Sequence, residues 1–194
     1  KYPLGDANDS SIDFIKNKWC QLHANWQEDE IIACTPAATS GASFTGAPQH
    51  NTPLSHLALA FEYWCGDLTY CVEIVASPLL RTRIGIVVVP PGNAVPSMFP
   101  TAGFITHIVE VAGTTCHEFT VPYLLENPFD EVVSTPMTNA SWSDTRLVYY
   151  YLTEPTGPSA TTVFPSLNVY VKGPGINFGV PTSKNMMKFR IVEQ

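Results

Sequence analysis

Apolar and polar residues alternate most clearly in the stretch FEYWCGDLTYCVEI, residues 61–74. From Leu68 onward, Leu68, Tyr70, Val72 and Ile74 can share one face of a strand while Thr69, Cys71 and Glu73 take the other, because strand side chains alternate with period two. Upstream, Pro53-Leu54-Ser55 has the form of a helix start, and Leu57, Ala58, Phe61 and Trp64 follow at helical spacing. This predicts a helix of two turns carrying Phe61 and Trp64, with Gly66 at the helix-to-strand corner, where the absence of a Cβ permits a sharp change of direction. Weak strands are expected at residues 12–22 and 30–35, and clearer ones at 68–76, 83–89, 104–111, 118–123, 146–153 and 167–172. The strand over 83–89 is closed by Pro90-Pro91-Gly92, which cannot continue a ladder.

This is a set of about eight strands separated by long Pro-rich links at residues 93–103, 124–143 and 154–166, with no internal repeat. Such a chain must manage its sheet edges, and two packed sheets with Greek-key links are a common solution. The expected fold is all-β: an eight-stranded antiparallel jelly-roll sandwich of two four-stranded sheets with one or two short helices. At 194 residues it fits one domain with a real core. Residues 1–11 are expected to form an extended N-terminal segment and 182–194 a C-terminal tail.

Composition sharpens this picture. Charged residues make up 14% against about 25% in typical soluble domains, and Pro is 17 of 194. Long helices are thereby disfavoured, and so few charges suit a surface covered by neighbours or one rich in Ser, Thr and Asn. The formal net charge is −7, with no Lys or Arg block at either end, so no basic arm is available to neutralise nucleic-acid phosphates. No run of about 18 apolar residues occurs that would span a membrane as a helix. Five Cys (Cys20, Cys34, Cys65, Cys71 and Cys116) without CxxC spacing read as reduced thiols rather than a disulfide framework or a zinc site.

Candidate chemistry is sparse. Cys116 and His117 are adjacent and would point to opposite faces of a strand, so they cannot form a thiolate–imidazole pair. No GxSxG elbow is present, and His23, His50, His56, His107 and His117 show neither HxH nor HExxH spacing. His107 and Glu110 would face oppositely. Glu126, Asp130 and Glu131 could collect a hard cation but read as solvated loop acids. Arg81 and Arg83 could together meet an acidic neighbour or an RNA phosphate, or protect a strand start. No enzymatic activity, cofactor or metal is expected.

With these residues in view, the chain resembles the jelly-roll capsid proteins of picornaviruses and related picorna-like RNA viruses. The family's aromatic three residues before Trp, then Gly and Leu opening an alternating strand, stands here as Phe61, Trp64, Gly66 and Leu68, followed by Tyr70 and Val72. The apolar run ending in a Pro-Gly turn matches residues 84–92 with Pro90 and Gly92, and 107–111 and 118–123 look like the next two strands, the latter ending in Pro122-Tyr123. Cys65 departs from the Arg that the family often carries between Trp and Gly. The resemblance covers roughly residues 57–181. It implies a structural subunit of a non-enveloped positive-strand RNA virus, in an icosahedral pseudo-T=3 shell shared with sibling subunits of one polyprotein. It further implies packaged RNA, a host receptor, residence in the virion, and assembly in the host cytoplasm. The family's polyproteins are commonly cut after Gln, so Lys1 and Gln194 are expected to mark a released subunit. The alternative from another class is a soluble jelly-roll lectin binding sugar or protein through its loops, with a divergent cupin more remote.

Overall fold

The structure, a computed structural model, describes residues 12–28, 30–40, 50–100, 102–133, 135–136, 143–156 and 164–183. The expectations for residues 1–11, most of the tail and Gln194 lie outside the described residues.

Two four-stranded antiparallel sheets face each other. One runs, in spatial order, β1 (Cys20–His23), β13 (Ser166–Lys172), β6 (Leu68–Val75), β9 (Thr115–Val121). The other runs β2 (Ile32–Ala33), β12 (Arg146–Thr156), β7 (Arg81–Val89), β8 (Ile105–Val111). This is the expected jelly-roll sandwich. Two small three-stranded sheets flank it: β10 (Asp130–Glu131), β5 (Phe61–Cys65), β14 (Asn177–Pro181), and β11 (Thr135–Pro136), β3 (Ala38–Ser40), β4 (His50–Asn51).

The alternation in β6 does what its pattern predicts: Leu68, Tyr70, Val72 and Ile74 are almost completely buried between the sheets. On the outer face, Glu73 accepts hydrogen bonds from Asn168 Nδ2 and Tyr170 Oη, each at 3.1 Å, and Glu118 accepts one from Lys172 Nζ at 2.8 Å. The run Ile84–Val89 of β7 is buried without alternation because both of its faces are covered. Ile84, Ile86 and Val88 join the core, while Val87 and Val89 pack with Val148 beneath Phe99, Phe104 and Val95 of the following link. Gly85 makes this possible, since a Cβ there would lie 2.3 Å from the Phe99 ring.

Three expectations fail. Helix α2 spans only Pro53–Ala58, capped by Thr52 Oγ1, which accepts from the Ser55 amide at 3.0 Å. Phe61 and Trp64 sit on strand β5 instead. The aromatic-rich FEYWC segment suits a pleated surface, and pairing with β14 and β10 outweighs its helical spacing. Gly66 therefore turns a corner between two strands. Near the N-terminus, Ile12–Lys16 forms a short helix, α1, rather than part of a strand. Finally, Cys71 and Cys116 are joined by a disulfide, and the remaining thiols are Cys20, Cys34 and Cys65. An odd cysteine count conceals one pair as readily as it suggests none; here β6 and β9 are neighbours, and a Cα separation of 6.3 Å lies within disulfide reach.

Candidate functional site

Five of the eight signature residues gather at one end of the sandwich. Trp64, Gly66, Leu68, Pro122 and Tyr123 line a common hollow of about 10 Å³, room for no more than one water. Trp64 is buried and meets Tyr123 edge-on at 5.3 Å; the Tyr123 amide donates to Asp67 Oδ1 at 2.9 Å. Gly66 is held at φ +108°, and a Cβ there would stand 2.2 Å from the Gly175 carbonyl oxygen, so both conformation and space require glycine. Phe61 is one step removed, stacked on Phe178 at 5.0 Å. Pro90 and Gly92 belong to a different turn, in which the Asn93 amide donates to the Pro90 carbonyl and Arg146 donates to the Asn93 carbonyl. Trp64, Gly66, Leu68, Pro122 and Tyr123 form a structural corner whose hollow is too small to admit a substrate.

The residues considered for chemistry are kept apart. Cys116 bonds to Cys71 on the outer face while His117 points inward. Cys34 is buried, which pushes its thiol up to about 12 and keeps it protonated at neutral pH, the opposite of an activated nucleophile. Burial raises the carboxyl of Asp130, helped by Asp144 and Glu131, and among the described residues no group of three or more His, Cys, Asp or Glu side chains could hold a metal. Arg81 folds back to donate to the Pro78 and Leu80 carbonyls at 2.8 and 3.0 Å, whereas Arg83 lies 3.7 Å from Glu110. They do not form a joint anion site.

Two arrangements escaped the sequence reading. Between the edge strands β8 and β9, His107 and His117 face each other at 5.5 Å, with His107 also against Phe119 at 4.5 Å. Both Nε2 atoms are buried without a hydrogen-bond partner among the described residues, and burial lowers both imidazoles, His107 further through the charge of His117. Strand alternation alone would have put both inward. On the opposite flank, the links and β12 enclose a groove of about 750 Å³ that includes Trp26, Glu28, Tyr149, Tyr150, Tyr151 and Phe164. The run of three Tyr was the available signal. No helix among the described residues is long and apolar enough to cross a membrane.

The comparisons agree with this architecture. Among solved structures, a capsid from a marine algae virus of the order Picornavirales is 19% identical with a TM-score of 0.74, covering 93% of this chain and 78% of that one. A chain of deformed wing virus, a honeybee pathogen, is 19% identical with a TM-score of 0.69, covering 94% of this chain and 56% of that one, so the chain spans about half of its length. Rhinovirus-B5 gives 15% identity and a TM-score of 0.58, covering 84% and 67%. No curated protein matches by sequence. The lectin alternative finds no support. The picornavirus capsid protein family matches residues 8–153, three quarters of the chain, and the protein belongs to that family as a structural, non-enzymatic capsid subunit of a picorna-like virus, part of the virion.

Proposed function

We propose that this subunit builds an icosahedral pseudo-T=3 shell around a positive-strand RNA genome together with sibling jelly-roll subunits of the same polyprotein, assembling in the host cytoplasm. One observation carries the reading. Each of the three Pro-rich links exposes a large apolar side chain: Met98 at 72%, Phe129 at 53% and Phe164 at 60%. Exposed apolar groups on loops carried by a rigid sandwich suit burial against neighbouring subunits, in many modest interfaces that ring closure makes cooperative. The same loops are the elements a host receptor would meet. With a net charge of −7, these 194 residues would contact packaged RNA through local groups.

The experiment is co-expression with the flanking chains of the polyprotein and its protease, followed by negative-stain microscopy and sedimentation. Closed, uniform particles containing the chain are the expected outcome. A chain that stays monomeric beside correctly cut siblings overturns the shell.

A further inference from the structure

The groove beside β12 has a chemical character that the capsid role does not explain. Strand β2 pairs with β12 only at Arg146 and Leu147, so beyond that point β12 has no strand neighbour on this side among the described residues. The 750 Å³ groove there adjoins a second hollow of about 530 Å³, and both are lined by Glu28, Tyr151 and Phe164. The rings of Tyr151 and Phe164 stand 5.4 Å apart at 52°, an open wedge with Phe164 60% exposed. Glu154 lines the second hollow, and among the described residues no Lys, Arg or His lines either one. Glu28 Oε1 accepts a hydrogen bond from the Tyr151 amide at 3.1 Å, which fixes one carboxylate beside the wedge. Burial first, and the Glu28 charge as a lesser cause, raise the phenols of Tyr149, Tyr150 and Tyr151.

Two aromatic faces and two carboxylates, with no basic side chain among the described residues that line the hollows, attract a cation through the ring quadrupoles and through Coulomb attraction together. We propose that this groove binds a Lys or Arg side chain of a sibling capsid subunit, with the cationic head in the Tyr151–Phe164 wedge between Glu28 and Glu154. The identity of the partner rests on the shell reading above; the cation preference does not. An acidic subunit that must meet neighbours gains specificity from one well-placed opposite charge.

The test has two arms. In the first, the purified full chain is titrated by NMR with N-acetyl-lysine amide and N-acetyl-arginine amide, with N-acetyl-glutamine amide as the neutral control. Ring resonances of Tyr151 and Phe164 should shift with the two cations and not with the control. Phe164→Ala should weaken the response about 3- to 30-fold, the range of one cation–π contact, and Glu154→Gln should weaken it less. In the second, Phe164→Ala and Glu154→Gln should lower particle yield with the siblings while the isolated variants keep the wild-type melting temperature. No shift, or an equal shift with the neutral probe, overturns the cation site; a clean shift with unaltered assembly overturns the sibling partner. Probe binding by a wild-type chain that never assembles leaves the cation site standing and tells against the shell.

Discussion

The two flanks of the sandwich are closed in different ways. On one, β8 pairs with β7 from Ile105 to Val111 and β9 with β6 from Thr115 to Val121, and the gap between these edges is filled by Phe119, His107 and His117. The Cys71–Cys116 disulfide then ties β9 to its neighbour. On the other, β1 and β2 are short, and the connection between them does the filling: Trp26 takes the Leu167 carbonyl through its amide at 2.8 Å, accepts from Tyr149 Oη at 3.2 Å, and meets the Tyr149 ring at 4.8 Å. The interior is sealed there, but the outside is left as an acidic, aromatic groove. A flank closed by its own strands is a stability element; one closed by a loop leaves surface for a partner.

Aromatic truncation should separate the two most strongly. Phe119 is 6% exposed and packs on Tyr70 and both histidines, so Phe119→Ala should cost about 3–5 kcal/mol in urea unfolding, as large core truncations do. Phe164→Ala on the open flank should stay within about 0.5 kcal/mol. Similar losses at the two positions would erase the distinction.

The disulfide comes next. Its partners are 45 residues apart, and replacing Cys71 and Cys116 with Ser should cost about 2–4 kcal/mol. Thiol titration of the denatured wild type should yield Cys20, Cys34 and Cys65 before reduction and all five cysteines afterwards. Five reactive thiols without reductant would return the closed flank to packing alone.

Acid should weaken the closed flank further. His107 and His117 are held below the ordinary value of about 6.5, so at mildly acidic pH the unfolded chain binds protons that the folded one refuses. The stability tied to their neutral forms is present above about pH 6.5 and is lost as the pH falls through the lower folded values. Glu110 and Glu118, adjacent to inward positions on the same strands, point to solvent and offer these imidazoles no counter-charge. The melting temperature should fall between pH 7.5 and 5, and replacing both His with Leu should flatten that fall. An unchanged slope in the double variant would place the acid sensitivity elsewhere.

The sequence was most legible where one physical signal dominated. Alternation marked β6, and the apolar run of residues 84–89 closed by Pro90 marked β7. It misled where two signals competed, since Ala58, Phe61 and Trp64 carry a helical spacing that pairing with Asn177–Pro181 overrides, and that partner strand lies more than a hundred residues away. The signature corner was readable through Gly66, whose positive φ is a local requirement, although the Gly175 carbonyl that also excludes a Cβ there lies more than a hundred residues away. The Cys71–Cys116 bond and the His107–His117 pair depend on strand register, which a single sequence states only through its partners. The groove was hidden for a further reason: Glu28, Tyr151 and Phe164 come from three separate segments, and the run of three Tyr that holds Tyr151 does not by itself say what it faces.

The smallest effect isolates the charge of the open flank from its shape. In Glu28→Gln the amide oxygen can still accept from the Tyr151 amide, so stability should change by no more than about 0.5 kcal/mol. The phenols should respond nevertheless, because the charge of Glu28 is one of the causes that hold Tyr150 and Tyr151 above their ordinary range. Removing it lowers the cost of forming phenolate, and the alkaline titration of these tyrosines, followed by near-ultraviolet absorbance, should move to lower pH. Burial, the larger cause, remains, so the shift should be partial. If the phenol midpoints stay where they are, the groove's potential does not come from Glu28, and the open flank differs from the closed one in shape but not in charge.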